Sequence, residues 1–460
     1  MNQDFTKNLI TKAVAIFLTV VGLSAIILSP FSSKAQDVKP LSLQQAIDLS
    51  LKNSHQLQAS FSRNEQAAAA VKEALDNRLP NAGISGSYLR LANPTISLKT
   101  KAFAGGGADT STNHGGGIPS VNQAAYGIAN VSLPIFAGGK IRYGIESAKY
   151  LQQATLLDAE NDKEGVILNT INAYINLYKA SVTVNVVNEN LAQSEHRDSV
   201  FSRLEQNGLL ARNDLLKAQL QTSNIELSLL DAQNNLKIAN INMNLIIGYP
   251  EATVVTTDST SFEKNIDIKT ISEYEQFALQ NRKDLSALSF RKKAAITGIS
   301  LAKADLYPSI ALSGGYVAAD VPHLITITNA VNLGVGLQYN LGSLWKTKAK
   351  ISQAQSRVKE IIANEAQLDD AIKLQVNQNF ENYLLSRKKT EVYKKAVLQA
   401  KENYRITKNK YDNALVNTTD LLDANVLLLQ SEINLAVSKA DILQAYSKLL
   451  ETSGILSNNQ

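Results

Sequence analysis

The sequence predicts an internally duplicated α+β membrane protein in which each copy contributes two β-strands and very long α-helices. Three observations carry this reading. The segment from Val131 to Gly248 aligns without a gap on the segment from Leu337 to Gly454, pairing Tyr174 with Phe380, Gly208 with Ala414 and Asp214-Leu215-Leu216 with Asp420-Leu421-Leu422. From Lys140 to Gln206 only Gly144 and Gly165 interrupt good helix formers, and at ~1.5 Å per residue that stretch spans about 100 Å, far beyond the needs of an ordinary globular domain. The segments ahead of the long helices alternate apolar and polar residues with a period of two, each near the length of a barrel strand.

Composition bounds the rest. The chain has 460 residues, 44% of them hydrophobic, and a formal charge of +5, of which the leader residues Lys7, Lys12, Lys34 and Asp4 supply two. Its mean hydropathy of -0.12 describes a folded chain. No run of basic residues suggests a nucleic-acid partner. The absence of cysteine removes disulfides, thiolate metal sites and a lipid-bearing N-terminal Cys.

Residues 1–35 read as an export signal, with Lys7 and Lys12 ahead of the apolar Ala13 to Leu28 and a small-x-small triplet at Ser33-Lys34-Ala35. No later run approaches the ~18 apolar residues of a spanning helix, so a mature chain that crosses a membrane must do so with strands. Residues 36–248 then form the first repeat, 249–270 an inter-repeat, equatorial linker of irregular structure, 271–454 the second repeat and 455–460 a tail.

Each repeat is expected to open with one helix. Residues 41–79 are capped by Ser42 with Gln45 at the third helical position, and stop before Pro80. Residues 271–306 repeat that helix and stop before Pro308. A strand follows each proline. In the second copy Ile310, Leu312, Gly314 and Tyr316 alternate with smaller residues, and on the return Val331, Leu333, Val335, Leu337, Tyr339 and Leu341 alternate with Asn332, Gly334, Gly336, Gln338 and Asn340. The first copy gives Ala129, Val131, Leu133 and Ile135 against Asn130, Ser132 and Pro134. Tyr88, Tyr126, Phe136, Tyr307, Tyr316, Tyr339 and Trp345 lie in or beside these strands, as interfacial girdles require. The glycine-rich stretch from Ala104 to Gly117 carries no phosphate-loop Lys-Ser or Lys-Thr and reads as an external hairpin loop. Val182, Val184 and Val186 alternate like a strand, but their counterparts from Lys388 to Val392 are helical in type, and the repeat decides for helix.

Asn207-Gly208 and Asn413-Ala414 close the long helices in tight turns, and Asp214 and Asp420 begin the return helices. Gly208, Leu209, Leu210, Ala414, Leu415 and Val416 are small or apolar at a solvent-facing turn, which predicts a cover. Asp423 lies one helical turn beyond Asp420, on the same side. The four histidines, His55, His114, His196 and His323, share no metal-ligand spacing, and no nucleophile or paired-carboxylate motif occurs. No catalytic, cofactor-binding or metal site is therefore expected. Four strands cannot close a barrel, since membrane barrels begin at about eight, so two or three chains must share one.

Here a resemblance becomes specific. The phrases Val131-Ser-Leu-Pro-Ile-Phe-Ala-Gly-Gly139, Asn207-Gly-Leu-Leu-Ala-Arg-Asn-Asp-Leu-Leu216 and Asp420-Leu-Leu-Asp-Ala424, set in a duplicated helix, strand, strand, helix, helix order, resemble the TolC family of outer-membrane efflux ducts. The resemblance implies a homotrimer with a twelve-stranded barrel in outer-membrane lipid above a coiled-coil helical tunnel in the periplasm. It implies docking of a periplasmic adaptor and an inner-membrane pump through the tips, here Asn207 to Leu210 and Asn413 to Val416. It also implies an aperture formed by Tyr411, Asp420 and Asp423, with Asp214 as the counterpart in the first repeat. Val416 stands where the family prototype has a gate arginine. The competing expectation is a periplasmic coiled-coil spacer or adhesin with a small β membrane anchor.

Overall fold

The computed structural model describes residues 39–92, 122–258, 267–322 and 325–457. The export signal, the glycine-rich loop, part of the linker, His114 and His323 lie outside them. In chain order the elements are β1 (Lys39–Leu41), α1 (Leu43–Asn53), α2 (His55–Asp76), β2 (Asn81–Arg90), β3 (Gln123–Ala137), α3 (Lys140–Gln206) and α4 (Arg212–Ile247). They continue with β4 (Val255–Thr257), α5 (Ile271–Asn281), α6 (Lys283–Ala304), β5 (Ser309–Val321), β6 (Ile325–Gln338), α7 (Ser343–Asp412) and α8 (Thr418–Thr452).

The strands make one antiparallel sheet in the order β2-β3-β5-β6. Its register puts Ala82, Val131, Gly314 and Leu333 in one row, and Ile84, Ala129, Tyr316 and Val331 in the next. The intervening row, on the opposite face, holds Gly83, Asn130, Gly315 and Asn332. One face is therefore apolar and the other polar, but no described residue covers the apolar one: Ile84 is 91% exposed and Leu333 80%. A soluble sheet would bury that face. Among the described residues β2 and β6 each pair on one side only, leaving two open edges. Pro134 sits in β3 beyond the reach of β2, where the register with β5 shifts, so its missing N–H costs no ladder bond on that side. Phe136, Tyr307, Tyr339 and Trp345 gather at the helical end of the sheet and Tyr88 and Tyr126 toward the other end, all at least partly exposed.

Three expectations need correction. The strand from Val331 ends at Gln338, so Tyr339 and Leu341 lie beyond it: the Asn340 carbonyl accepts from the Ser343 Oγ at 2.7 Å and the Asn340 side chain accepts from the Gly342 N–H at 3.0 Å, turning the chain into α7. The opening helix of each repeat is two helices. Ser42 and Gln45 do form the expected reciprocal cap, at 3.2 and 3.1 Å, but α1 stops at Asn53, and Ser54, in extended conformation, caps α2 by accepting from Leu57 N–H. Arg282 breaks the second copy at the corresponding place. The breaks exist because the ends of the return helices pack there. Asn53 Nδ2 donates to the Ile247 carbonyl at 2.7 Å, and a Cβ on Gly248, at φ +78°, would lie 2.7 Å from that same nitrogen. At the other break Arg282 donates to the Thr452 carbonyl, and a Cβ on Gly454 would meet the Arg282 backbone nitrogen at 2.9 Å.

The linker is more ordered than its composition suggests. β4 pairs in parallel with β1, Asn240 and Asn244 hold the Thr253 carbonyl at 2.6 and 2.7 Å, and the Tyr174 hydroxyl donates to the Leu41 carbonyl at 2.9 Å while accepting from Asp258 N–H at 2.8 Å. Burial pushes the Tyr174 phenol up to about 12. This belt closes over an apolar cluster of Leu41, Tyr174, Leu177, Met243, Ile247 and Val255, and beside it Ile47, Ile171, Ile175, Tyr274, Ile372 and Leu449 join helices of both repeats near mid-height. Val182, Val184 and Val186 are helical, as the repeat requires.

Candidate functional site at the helix tips

Both long helices end in the same hydrogen-bonded turn. At the first, Gly208 N–H donates to the Glu205 carbonyl at 2.8 Å and Leu209 N–H to the Leu204 carbonyl at 2.9 Å. At the second, Ala414 N–H donates to the Tyr411 carbonyl at 2.9 Å and Leu415 N–H to the Lys410 carbonyl at 2.8 Å. Each is the glycine-type C-cap that satisfies the last carbonyls of a helix through one left-handed residue. Gly208 takes φ +70° without penalty, whereas Ala414 takes φ +58° against the steric preference of an L-residue. Asn207 and Asn413 occupy the C-cap positions, and each also returns a side-chain bond to its own helix, to Arg203 and Asn409. Leu209 and Leu415 stand 76% and 72% exposed at the apex, while Leu210 and Val416 are half-buried.

The return helices begin differently. Asn417 and Asp420 cap α8 reciprocally: Asp420 N–H donates to Asn417 Oδ1 at 3.0 Å and Asn417 N–H to the Asp420 carboxylate at 3.2 Å. The start of α4 at Ala211 has no side-chain cap, and Asp214 is paired with Lys217 at 3.6 Å. Asp420 and Asp423 are both exposed, and neither makes an ion pair among the described residues. The second tip therefore presents unneutralised carboxylates where the first does not. Asp420 has a local structural task as well as a charge.

Tyr411 does not stand free at an opening within this chain. Its ring stacks on Phe201 of α3, with centroids 5.5 Å apart and planes at 27°, and its hydroxyl accepts from Thr418 Oγ1 at 3.4 Å. Phe201, Leu215, Leu421 and Leu422 are buried around it, so one small apolar core ties the two hairpin ends together. Val416 adds no charge to this contact.

Sequence reasoning missed what lies next along the helices. Between the tip core and the apolar layer at Val187 and Leu429, Asn190, Ser194 and Arg197 of α3 follow at helical spacing, and Asn425 lies on α8. Asn190, Ser194 and Asn425 are almost wholly buried, and each has a side-chain polar atom without a hydrogen-bond partner among the described residues. The same holds for Arg197 Nε and Nη2, and burial pulls that guanidinium below its usual range. The only signal in the sequence was an i, i+4, i+7 run of polar residues, which looks like a solvated face. Only the fold turns it inward.

A two-faced sheet with open edges, carried on helices of 67 and 70 residues, defines a membrane-anchored protein with a long helical body. The match of residues 46–249 and 276–454 to the family described as outer membrane efflux protein makes the identification: the chain belongs to that family. It is located in the cell outer membrane. Among solved structures it is similar to the outer-membrane channel OprN (18% identity, TM-score 0.74, 90% of this chain and 89% of that one). It is similar also to the outer membrane protein VceC from Vibrio cholerae (18%, 0.72, 90% and 96%) and to the CmeC outer membrane channel of Campylobacter jejuni (18%, 0.72, 90% and 86%). A search of curated proteins gave no match.

Proposed function

We propose that three copies of this chain form the outer-membrane exit duct of a tripartite efflux or type I secretion system, passing solutes from a periplasmic adaptor and an inner-membrane pump to the exterior. The observation that carries this reading is the sheet with one bare apolar face, one polar face and two open edges. Four strands per chain become a closed barrel of twelve when three sheets join edge to edge, with the apolar face toward lipid and the asparagine row toward the lumen. A second apolar surface supports the assembly: Leu216, Leu220, Leu227, Leu230, Ile238 and Leu245 are all exposed along α4. That is more bare leucine than a lone periplasmic helix tolerates, and neighbouring chains would cover it. Membership of an efflux family favours the duct over a spacer or adhesin. Mass measurement of the detergent-extracted protein should give three chains, and a stable monomer with full β content overturns the architecture.

In this assembly the tips at Asn207 to Leu210 and Asn413 to Val416 meet the adaptor, whose contact covers Leu209 and Leu415. Asp420 and Asp423 from three chains supply six carboxylates around the aperture, a concentration of like charge that attracts cations. Tyr411 holds the aperture closed by packing on Phe201, in place of the arginine links absent at Val416. Multivalent cations added on the periplasmic side should block conductance in planar bilayers, and the block should weaken in an Asp420→Asn, Asp423→Asn protein. Asparagine keeps an acceptor for the Asn417 N–H, so the change removes charge and leaves the cap. Block that persists unchanged makes these carboxylates ordinary helix-start residues.

A further inference from the structure

Where the strands meet the helices, the surface changes from apolar to basic within one helical turn. Leu341, Leu344 and Trp345 are exposed, Trp345 at 67%. Lys348 lies three residues past Trp345 and four past Leu344, on their face of α7, and it is exposed. Exposed indole and leucine do not face water by preference, so this face of α7 looks toward lipid, and the ammonium sits just beneath the apolar band. The neighbouring junctions bring the same charge: Arg142 in the first turn of α3, Lys303 in the last turn of α6 and Lys346 in the first turn of α7 are all exposed. None of these four is ion-paired among the described residues. The single carboxylate of Asp305 is already shared between Lys140 at 3.2 Å and Lys350 at 2.7 Å.

Helix stability accounts for Lys303, a cation favoured in a last turn, but not for Arg142 and Lys346. The first turns of α3 and α7 contain no acidic residue, although the helix macrodipole favours anions there and disfavours Lys and Arg. Uncompensated positive charge beside a low-dielectric apolar band is unfavourable unless an anion lies against it. The apolar band itself says where that anion comes from, because the headgroups of a bilayer begin where its hydrocarbon ends.

We propose that this collar binds the phosphates of anionic phospholipid in the inner leaflet of the outer membrane, fixing the depth of the barrel and the position of the helix tops. The inference rests on the reading that the sheet spans the membrane. Two lysines of the collar are held in place by Asp305, and the other basic side chains reach out to lipid.

The test uses the full-length, detergent-extracted assembly and native mass spectrometry after incubation with equal amounts of phosphatidylglycerol and phosphatidylcholine. The wild type should retain phosphatidylglycerol in preference, and the preference should fall by roughly five-fold for each charge removed in Arg142→Gln, Lys303→Gln, Lys346→Gln and Lys348→Gln, from about 1 kcal/mol per basic residue near an anionic surface. A control protein with Lys389→Gln, Lys394→Gln, Lys395→Gln and Lys408→Gln, lower on α7, should retain it as the wild type does. A second measurement needs no variant: in vesicles of phosphatidylcholine with added phosphatidylglycerol, the wild-type assembly should melt at a higher temperature than in phosphatidylcholine alone, and high salt should narrow the gap. Equal retention of the two lipids by the wild type, equal loss in both variants, or retention of lipopolysaccharide alone overturns the proposal. A protein that stays soluble without detergent would instead overturn the membrane reading on which it stands.

Discussion

The two hairpin ends are copies of one turn, solved with different residues. The first places glycine at the left-handed position and leaves the next helix without a side-chain cap. The second places alanine there, at a cost of about 1 kcal/mol, and offsets it with the Asn417 and Asp420 capping box, which contributes a similar amount. The first end pairs its early carboxylate, Asp214, with Lys217. The second leaves Asp420 and Asp423 exposed and carries Tyr411, which leans on Phe201 of the first hairpin. Duplication thus preserved the geometry that an adaptor would meet and divided the other tasks. One tip is neutral and permissive, and the other is charged and tied to its neighbour.

The largest expected effect breaks the first tip. A side chain added at Gly208 would meet no neighbour but would be strained at φ +70°, a local cost of about 1 kcal/mol at an exposed turn, so Gly208→Trp should leave the fold intact while abolishing export through a bulky obstruction at the apex. Gly208→Ala should retain export, because Ala414 shows that this turn accepts a methyl group. Transport assays of both proteins, with trimers confirmed in the membrane, decide the matter; normal export by the tryptophan protein removes tip docking.

Next in size is the contact between the hairpins. Phe201→Ala empties the small core beneath Tyr411 and should cost about 3 kcal/mol locally, raising the open fraction in single-channel recordings. A conductance histogram identical to that of the wild type would separate Tyr411 from closure. Smaller again, Ala414→Gly should make the second tip equal to the first and stabilise it by roughly 0.5 to 1 kcal/mol, seen as slower amide exchange in the last turn of α7. Faster exchange there would show that the alanine conformation carries no strain.

The smallest effect lies at the opposite end of the helices. Hydrogen bonding from Lys350 and then Lys140 holds the Asp305 carboxyl below its ordinary value of 3.8, against the opposing effect of burial. Its contribution to stability is therefore complete above that ordinary value and is lost as pH falls through the lower folded value. For a partly exposed ion pair it amounts to less than about 1 kcal/mol. Thermal melts of wild type and Asp305→Asn should converge under strongly acidic conditions, and a gap that widens on acidification refutes the assignment.

The long helices, the turns that end them and the two-faced strands were legible in the order of residues alone. Those features depend on periodicity and on residues a few positions apart, and the repeat resolved the one ambiguous run at Val182 to Val186. Capping at Ser42 was legible for the same reason. At the tips the turn residues were legible, but the double duty of Asp420 needed the backbone geometry of Asn417. The tertiary structure alone decided what joins distant segments. It broke the opening helices at Ser54 and Arg282 to receive Gly248 and Gly454. It drew the linker into a parallel pair with β1, set Tyr411 on Phe201 and turned Asn190, Ser194 and Arg197 inward. It also brought Arg142, Lys303 and the Lys346 and Lys348 pair, which lie on three separate helices, to the same end of the sheet. A periodic pattern records which face a residue occupies, but not which other helix that face will meet, because packing partners are chosen by the whole chain.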